Sequence, residues 1–139
     1  MSNDQLELNG LQDAMSSLAR SIDVVREYEY LEEKVQEVLR SGVIQNFEIA
    51  YESSWKHIKR WLELNLGSDS LTPFSIKLLI RRAAECELIT DSNLWMEFHN
   101  ARNSTSHLYS EKTAREVFDK ALEFLPYGLD LITKLKERL

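Results

Sequence analysis

The stretch that decides the fold class is residues 33–65, EKVQEVLRSGVIQNFEIAYESSWKHIKRWLELN. Its apolar side chains recur at steps of three and four residues over many turns, as they do on one face of an amphipathic helix. The pattern therefore predicts one long helix from about Glu33 to Asn65. We assign to its buried face Val35, Val38, Leu39, Phe47, Ala50, Tyr51, Ser54, Ile58, Trp61 and Leu62.

The segment before this helix has the same apolar period. It predicts a first helix that begins between Asp4 and Glu7 and ends near Glu29, with a short link to the long helix. The expected core-facing residues of the first helix are Leu8, Leu11, Met15, Leu18, Ile22 and Val25.

Turn and cap residues after the long helix indicate where a third helix begins. Gly67–Ser70 is the clearest loop, and Thr72 followed by Pro73 predicts an N-cap and a first helical position. The third helix should end near Cys86. Its inward-facing residues are expected to be Phe74, Leu78 and Leu79.

Two further helices are predicted in the second half of the chain. Thr90 or Asp91 is expected to cap a fourth helix, and Ser110 a last one. The sequence thus predicts an all-α fold, an antiparallel up-and-down bundle of four to five helices. The expected buried residues of these two helices are Leu94, Trp95 and Phe98, then Val117, Leu122, Leu125, Leu129, Ile132 and Leu135.

Composition agrees with one helical domain over residues 1–139. Only four glycines and two prolines interrupt 139 residues, a length that can bury a core. The net charge of −6 argues against a broad basic surface that coats nucleic acid. Cys86 is the only cysteine, and no stretch of about 18 apolar residues occurs, so we expect a cytoplasmic protein with no membrane segment.

The chemistry-bearing stretch is the octapeptide Arg102-Asn103-Ser104-Thr105-Ser106-His107-Leu108-Tyr109. Arginine presents a planar fork of donors to phosphate oxygens and keeps its charge at neutral pH. Histidine has an unperturbed pKa of about 6.5 and can give or accept a proton. Together, Arg102 and His107 could promote attack on a phosphodiester without a metal.

The spacing of these two residues matters. At about 100° per residue, they would diverge by roughly 140° in an uninterrupted helix. A joint site therefore needs local unwinding or a second copy of the chain. The intervening Asn, Ser and Thr side chains favour unwinding, because they compete with the helical backbone for hydrogen bonds. The residues alone leave open a plain polar helix end, with His107 and Tyr109 as capping or core residues.

Other polar residues are weaker candidates. His57 could add a second phosphate contact, although an exposed helix histidine is the simpler interpretation. We expect no metal, because no Glu-x-x-His pair and no zinc-ligand spacing occur. A local phosphate cleft could also draw on basic residues that are otherwise solvated helix faces: Lys56, Lys59, Arg60, Arg81 and Arg82.

The run Arg102-Asn103-x-x-x-His107-x-Tyr109 resembles the signature of the HEPN superfamily. More narrowly, it resembles that of the HepT-like proteins, also called nucleotidyltransferase substrate-binding proteins. All four defining positions match. Residues 42–56, GVIQNFEIAYESSWK, are similar to the family's second helix, and the resemblance covers most of the chain.

The resemblance implies a helical bundle that forms a homodimer and brings two copies of the motif together. It implies a metal-independent endoribonuclease toxin that needs no cofactor, with Arg102 and His107 as catalytic residues and Asn103 as a phosphate contact. It also implies a neighbouring small nucleotidyltransferase, the antitoxin, which silences the toxin by attaching adenylate to Tyr109.

Two alternatives stay open. In the first, the protein is a non-catalytic subunit that binds a nucleotide or the transferase's substrate. Arg102 would then bind phosphate, and His107 would contact the ligand without acting as a base. In the second, it is a purely structural helical dimer. The chain is not itself the transferase, because Gly67-Ser68 lacks a second nearby glycine and no Asp-x-Asp follows.

Overall fold

A computed structural model describes residues 6–139 of the chain. Within them lie five α-helices, one short 3₁₀ turn and no strand, so the predicted all-α bundle is confirmed. Helix α2 packs against all four other helices and is the element around which they are arranged. The elements are α1 (Asn9–Glu27), α2 (Glu33–Leu66), α3 (Ile76–Glu85), α4 (Ser92–Ser104), the 3₁₀ turn (Thr105–His107) and α5 (Glu111–Glu137).

Residues 6–8, directly before α1, are non-helical. The predicted start at Asp4 lies outside the described residues, and the helix begins at Asn9 rather than by Glu7. Nε2 of His57 lies 2.9 Å from the carbonyl oxygen of Glu7, which ties this segment to α2. The predicted buried residues of this segment and α1 are confirmed, except that Val25 is half-buried. The buried ones are Leu8, Leu11, Met15, Leu18 and Ile22.

The buried face of α2 is as predicted only from Phe47 onward. Val35 and Leu39 are half-buried, and Val38 is 70% exposed. At about 100° per residue, the nine steps from Val38 to Phe47 put these residues on opposite sides of the helix. Placing Val38 in the core was therefore wrong. The predicted residues that are buried are Phe47, Ala50, Tyr51, Ser54, Ile58, Trp61 and Leu62.

Helix α3 begins later than predicted. Ser75, not Thr72, is the N-cap, and its Oγ accepts a hydrogen bond from the backbone N–H of Leu78 at 3.0 Å. The chain from Gly67 to Thr72 forms turns instead, so the predicted start at Pro73 was wrong. Phe74 consequently lies outside the helix and is 46% exposed, whereas it was expected to face inward.

The caps of α4 and α5 are as predicted. Asp91 Oδ1 accepts from the Leu94 N–H at 3.0 Å, and Ser110 Oγ accepts from the Thr113 N–H at 3.1 Å. The predicted stripe of α5 is only partly right, because Leu129 is 47% exposed. Residues on a neighbouring line of the helix are buried as well: Phe118, Ala121, Phe124, Gly128 and Leu131.

Aromatic rings from three helices meet at the centre of the bundle. The ring centroid of Phe124 lies 5.2 Å from Phe98, 5.4 Å from Phe47, 5.6 Å from Trp95 and 5.9 Å from Tyr51. These rings join α2, α4 and α5 just before α4 enters the octapeptide. None of the helices within residues 6–139 combines the length and apolar character needed to cross a bilayer.

Candidate functional site

The octapeptide lies where α4 changes into a tighter helix. Helix α4 ends at Ser104, residues 105–107 form the 3₁₀ turn, and residues 108–109 are non-helical before the cap of α5. The hydroxyl of Thr105 donates to the carbonyl oxygen of Arg102 at 2.7 Å, and that of Ser104 donates to Asn100 at 3.0 Å. Side-chain bonds of this kind compete with the helical ladder. The predicted local unwinding is therefore present.

Carboxylates from α2 hold the guanidinium of Arg102. Nε donates to Oε1 of Glu52 at 3.0 Å, and Nη1 lies 3.5 Å from Oε2 of Glu48. Nη1 also lies 3.3 Å from Oγ1 of Thr105, which contacts Oε2 of Glu48 as well. Among residues 6–139, Nη2 has no hydrogen-bond partner. Arg102 is thus a fixed, largely buried cation with one amino group left available.

The other octapeptide candidates face solvent. Asn103 and His107 are exposed, and the Tyr109 side chain is 88% exposed. The ring centroids of His107 and Tyr109 lie 6.0 Å apart. In the part of the chain that the structure describes, no hydrogen bond joins Arg102 to His107. One chain therefore brings His107 and Tyr109 together, while Arg102 is engaged with α2.

The groups behind Arg102 were not predicted from the sequence. Nδ1 of His99, one turn before Arg102, lies 3.1 Å from the hydroxyl of Tyr51. Burial raises the pKa of Tyr51, and the charge of Glu52 raises it further. Glu48 and Glu52 stand four positions apart, so one face of α2 carries both carboxylates. The four-residue spacing of these glutamates is visible in the sequence and indicates a shared face, but it does not indicate which helix packs against that face.

Burial lowers the pKa of His99, and the charge of Arg102 adds to this, while Glu52 acts in the opposite direction. The imidazole therefore takes up a proton less readily in the folded chain than in the unfolded one. Since the unfolded state then binds more protons below an ordinary histidine pKa of about 6.5, the free energy of unfolding falls as pH decreases through that range.

We expect the unfolding free energy to decrease from pH 7.5 to 5.5, and His99→Gln to flatten this dependence. One proton contributes at most about 1.4 kcal/mol per pH unit, and the partly exposed ring less. Urea unfolding followed by circular dichroism at each pH measures the slope. Parallel pH profiles for the two proteins would contradict the role of His99.

The remaining candidates have structural or local partners. Nδ1 of His57 lies 2.7 Å from the carbonyl oxygen of Ser53, so both ring nitrogens of His57 contact backbone oxygens. Lys56, Lys59 and Arg82 each contact a glutamate on their own helix, at 3.9, 3.8 and 2.9 Å. Lys56 thus shares Glu52 with Arg102, whereas Lys59 and Arg82 pair with Glu63 and Glu85, outside the Arg102 contacts. Within residues 6–139, no cluster of three or more His, Cys, Asp or Glu side chains is placed to hold a metal ion.

The fold and the site define a small helical-bundle protein with an anchored arginine next to an exposed histidine and tyrosine. Residues 6–137 match the family described as nucleotidyltransferase substrate binding protein like. The chain is also 32% identical, over 99% of its length and 97% of the relative's, to a Haemophilus influenzae protein named probable ribonuclease HepT. The chain belongs to the HepT-like family of nucleotidyltransferase substrate-binding proteins, as its octapeptide predicted.

Solved structures agree with this assignment. One from Haemophilus influenzae, described as the fold of a substrate binding domain of a nucleotidyltransferase, is 30% identical and superposes with a TM-score of 0.85. The match covers 94% of this chain and 99% of that one. A structure from Thermus thermophilus is 28% identical with a TM-score of 0.65, covering 85% of this chain and 98% of that one.

Proposed function

We propose that this protein is a metal-independent endoribonuclease that acts as the toxin of a two-gene toxin–antitoxin module. The observation that carries the proposal is an anchored Arg102 with one available amino group in the last turn of α4, followed in the chain by an exposed His107 and Tyr109. The 32% identity to a protein named probable ribonuclease HepT supports the same reaction class.

In the proposed reaction, His107 takes the proton of a ribose 2′-hydroxyl, whose oxygen attacks the adjacent phosphorus. The bond from phosphorus to the 5′-oxygen breaks, and that oxygen takes up a proton from water and leaves as a 5′-hydroxyl. A 2′,3′-cyclic phosphate remains. Nη2 of Arg102 stabilises the charge that develops on the phosphate oxygens, and the amide of Asn103 orients them.

A homodimer is part of this proposal. Arg102 and His107 make no hydrogen bond within the described chain. A second copy of the chain is the simplest way to bring an arginine and a histidine of the motif to the same phosphate. Leu108, within the octapeptide, is 37% exposed and provides apolar surface for such a contact. Each chain would then complete the site of the other.

The proposed antitoxin is a small nucleotidyltransferase. The phenolic oxygen of Tyr109 would attack the α-phosphorus of ATP, pyrophosphate would leave, and the phenolic proton would pass to solvent or a base of the transferase. The 88% exposure of Tyr109 leaves this oxygen accessible. The added adenylate, a bulky anion next to His107, would exclude RNA by both volume and charge.

One observation favours a second candidate, a non-catalytic subunit that binds a nucleotide or substrate for the transferase. Glu48 and Glu52 already balance the charge of Arg102, which weakens its attraction for a transition-state phosphate. In that case Arg102 and His107 would contact a bound phosphate without cleaving anything. The description of the Haemophilus influenzae structure as a nucleotidyltransferase substrate binding domain fits this candidate.

RNA cleavage in excess EDTA distinguishes the two candidates. We expect the purified protein, shown by mass spectrometry to be unmodified at Tyr109, to cleave labelled single-stranded RNA to cyclic-phosphate products. A strand with one deoxyribose at the cleaved position should resist cleavage there, because it lacks the 2′-hydroxyl nucleophile. Cleavage of the deoxy-substituted bond would exclude this mechanism, and binding of RNA or nucleotide without cleavage would favour the non-catalytic subunit.

A further inference from the structure

A cavity of about 270 Å³ lies next to Tyr109 and outside the Arg102 contacts. It is formed between the first half of α2 and the start of α5. Its volume lies below the range of about 300–1,000 Å³ that encloses whole small-molecule ligands, so it suits one functional group. Its lining includes the motif tyrosine together with Arg40, Arg115, Glu37 and Glu111.

Arg40 and Arg115 already attract an anion. Nη2 of Arg40 lies 2.5 Å from Oε1 of Glu33, and the Arg40 side chain is only 11% exposed. The hydrogen bond from Arg40 lowers the pKa of the Glu33 carboxyl, and the charges of Arg40 and Arg115 lower it further against the opposing effect of burial. Glu33 itself is 63% exposed and sits on the first turn of α2. Arg40, which lines the cavity, is thus already paired with an exposed carboxylate that does not line it.

The charge of the lining restricts which anion fits. Two arginines suit phosphate oxygens, because a guanidinium presents paired donors. Glu37 and Glu111 line the same cavity and repel a polyanion such as an RNA strand or a free triphosphate. A phosphodiester with one negative charge, held in place by a covalent tether, satisfies both conditions.

We propose that Arg40 and Arg115 bind the phosphodiester that adenylation creates on Tyr109, and that this group displaces Glu33. The inference rests on the proposed function, since it requires adenylate on Tyr109. The bound diester lies against the protein instead of projecting into solvent. Its phosphorus is then shielded from attack, so the silenced state of the toxin is long-lived.

The test begins with adenylation. The protein is incubated with ATP and the proposed nucleotidyltransferase antitoxin, and mass spectrometry should find one adenylyl group on wild type and none on Tyr109→Phe. Absence of the group from wild type would overturn the proposed antitoxin mechanism and this inference with it. Presence of the group allows the inference to be tested separately.

The decisive readout is the rate at which a non-specific phosphodiesterase releases AMP from the adenylated protein. We expect release to be about five- to tenfold faster from Arg40→Gln and Arg115→Gln, because each loses a charge-assisted hydrogen bond to the diester. Glu33→Gln should slow release, since the competing carboxylate is gone. The matched control is Lys112→Gln, which removes an 86% exposed cation of α5 that does not line the cavity.

Arg115 is exposed, so its substitution tests the site even if Arg40→Gln fails to fold. Release rates equal to wild type in both arginine variants would overturn the inference while leaving adenylation intact. The unmodified variants should cleave RNA with an unchanged KM. A raised KM with unchanged AMP release would mean that RNA phosphate binds there, and would also overturn the assignment.

Discussion

Replacing His107 by glutamine is expected to lower the rate of RNA cleavage by about 10²–10⁴-fold, the usual contribution of a general base. Glutamine keeps a polar side chain of similar reach but cannot take the proton of the 2′-hydroxyl. His107 is exposed on the 3₁₀ turn, so the substitution should leave the fold intact. Single-turnover cleavage of labelled RNA in EDTA measures the rate, and fluorescence anisotropy of the same RNA measures binding.

The matched control is Ser106→Ala, an exposed neighbour on the same turn, which should cleave RNA at close to the wild-type rate. A loss of cleavage with RNA affinity retained would support His107 as the base. An undiminished rate in His107→Gln would exclude that role. Equal losses in both variants would show that the turn, and not the imidazole, is what the reaction requires.

Local signals predicted much of the fold. The caps Asp91 and Ser110 were found because their side chains satisfy backbone groups only a few residues away. The start of α3 was predicted wrongly because Thr72-Pro73 and Ser75 are both good helix-start signals within a short stretch. Only packing, which leaves Phe74 outside the helix, decides between them.

The site, like the fold, has features that the sequence predicts and features that only packing determines. The octapeptide and its helix break are visible in the sequence, because the competing hydroxyls lie within the motif itself. The anchoring of Arg102 is not, since its partner Glu52 lies 50 positions away on another helix. Which carboxylate meets which arginine depends on how α2 and α4 pack, and many acidic side chains in a chain of net charge −6 could have served.

That packing depends on Phe124, and Phe124→Ala is expected to lower the free energy of unfolding by about 3–5 kcal/mol. The ring is fully buried and lies within 6 Å of four other aromatic rings from α2 and α4. Alanine would leave a cavity among large, stiff rings that cannot close in around it. Urea unfolding followed by circular dichroism gives the change in midpoint and slope.

Leu129→Ala on the same helix is the control, because its side chain is 47% exposed and its removal should change stability by no more than about 0.5 kcal/mol. A loss below about 1 kcal/mol in Phe124→Ala would mean that the surrounding rings do collapse, against the packing argument. Because the cluster joins α2 to α4, the variant should also loosen the contacts of Arg102 with Glu48 and Glu52. RNA cleavage by its folded fraction should therefore fall, whereas Leu129→Ala should cleave normally.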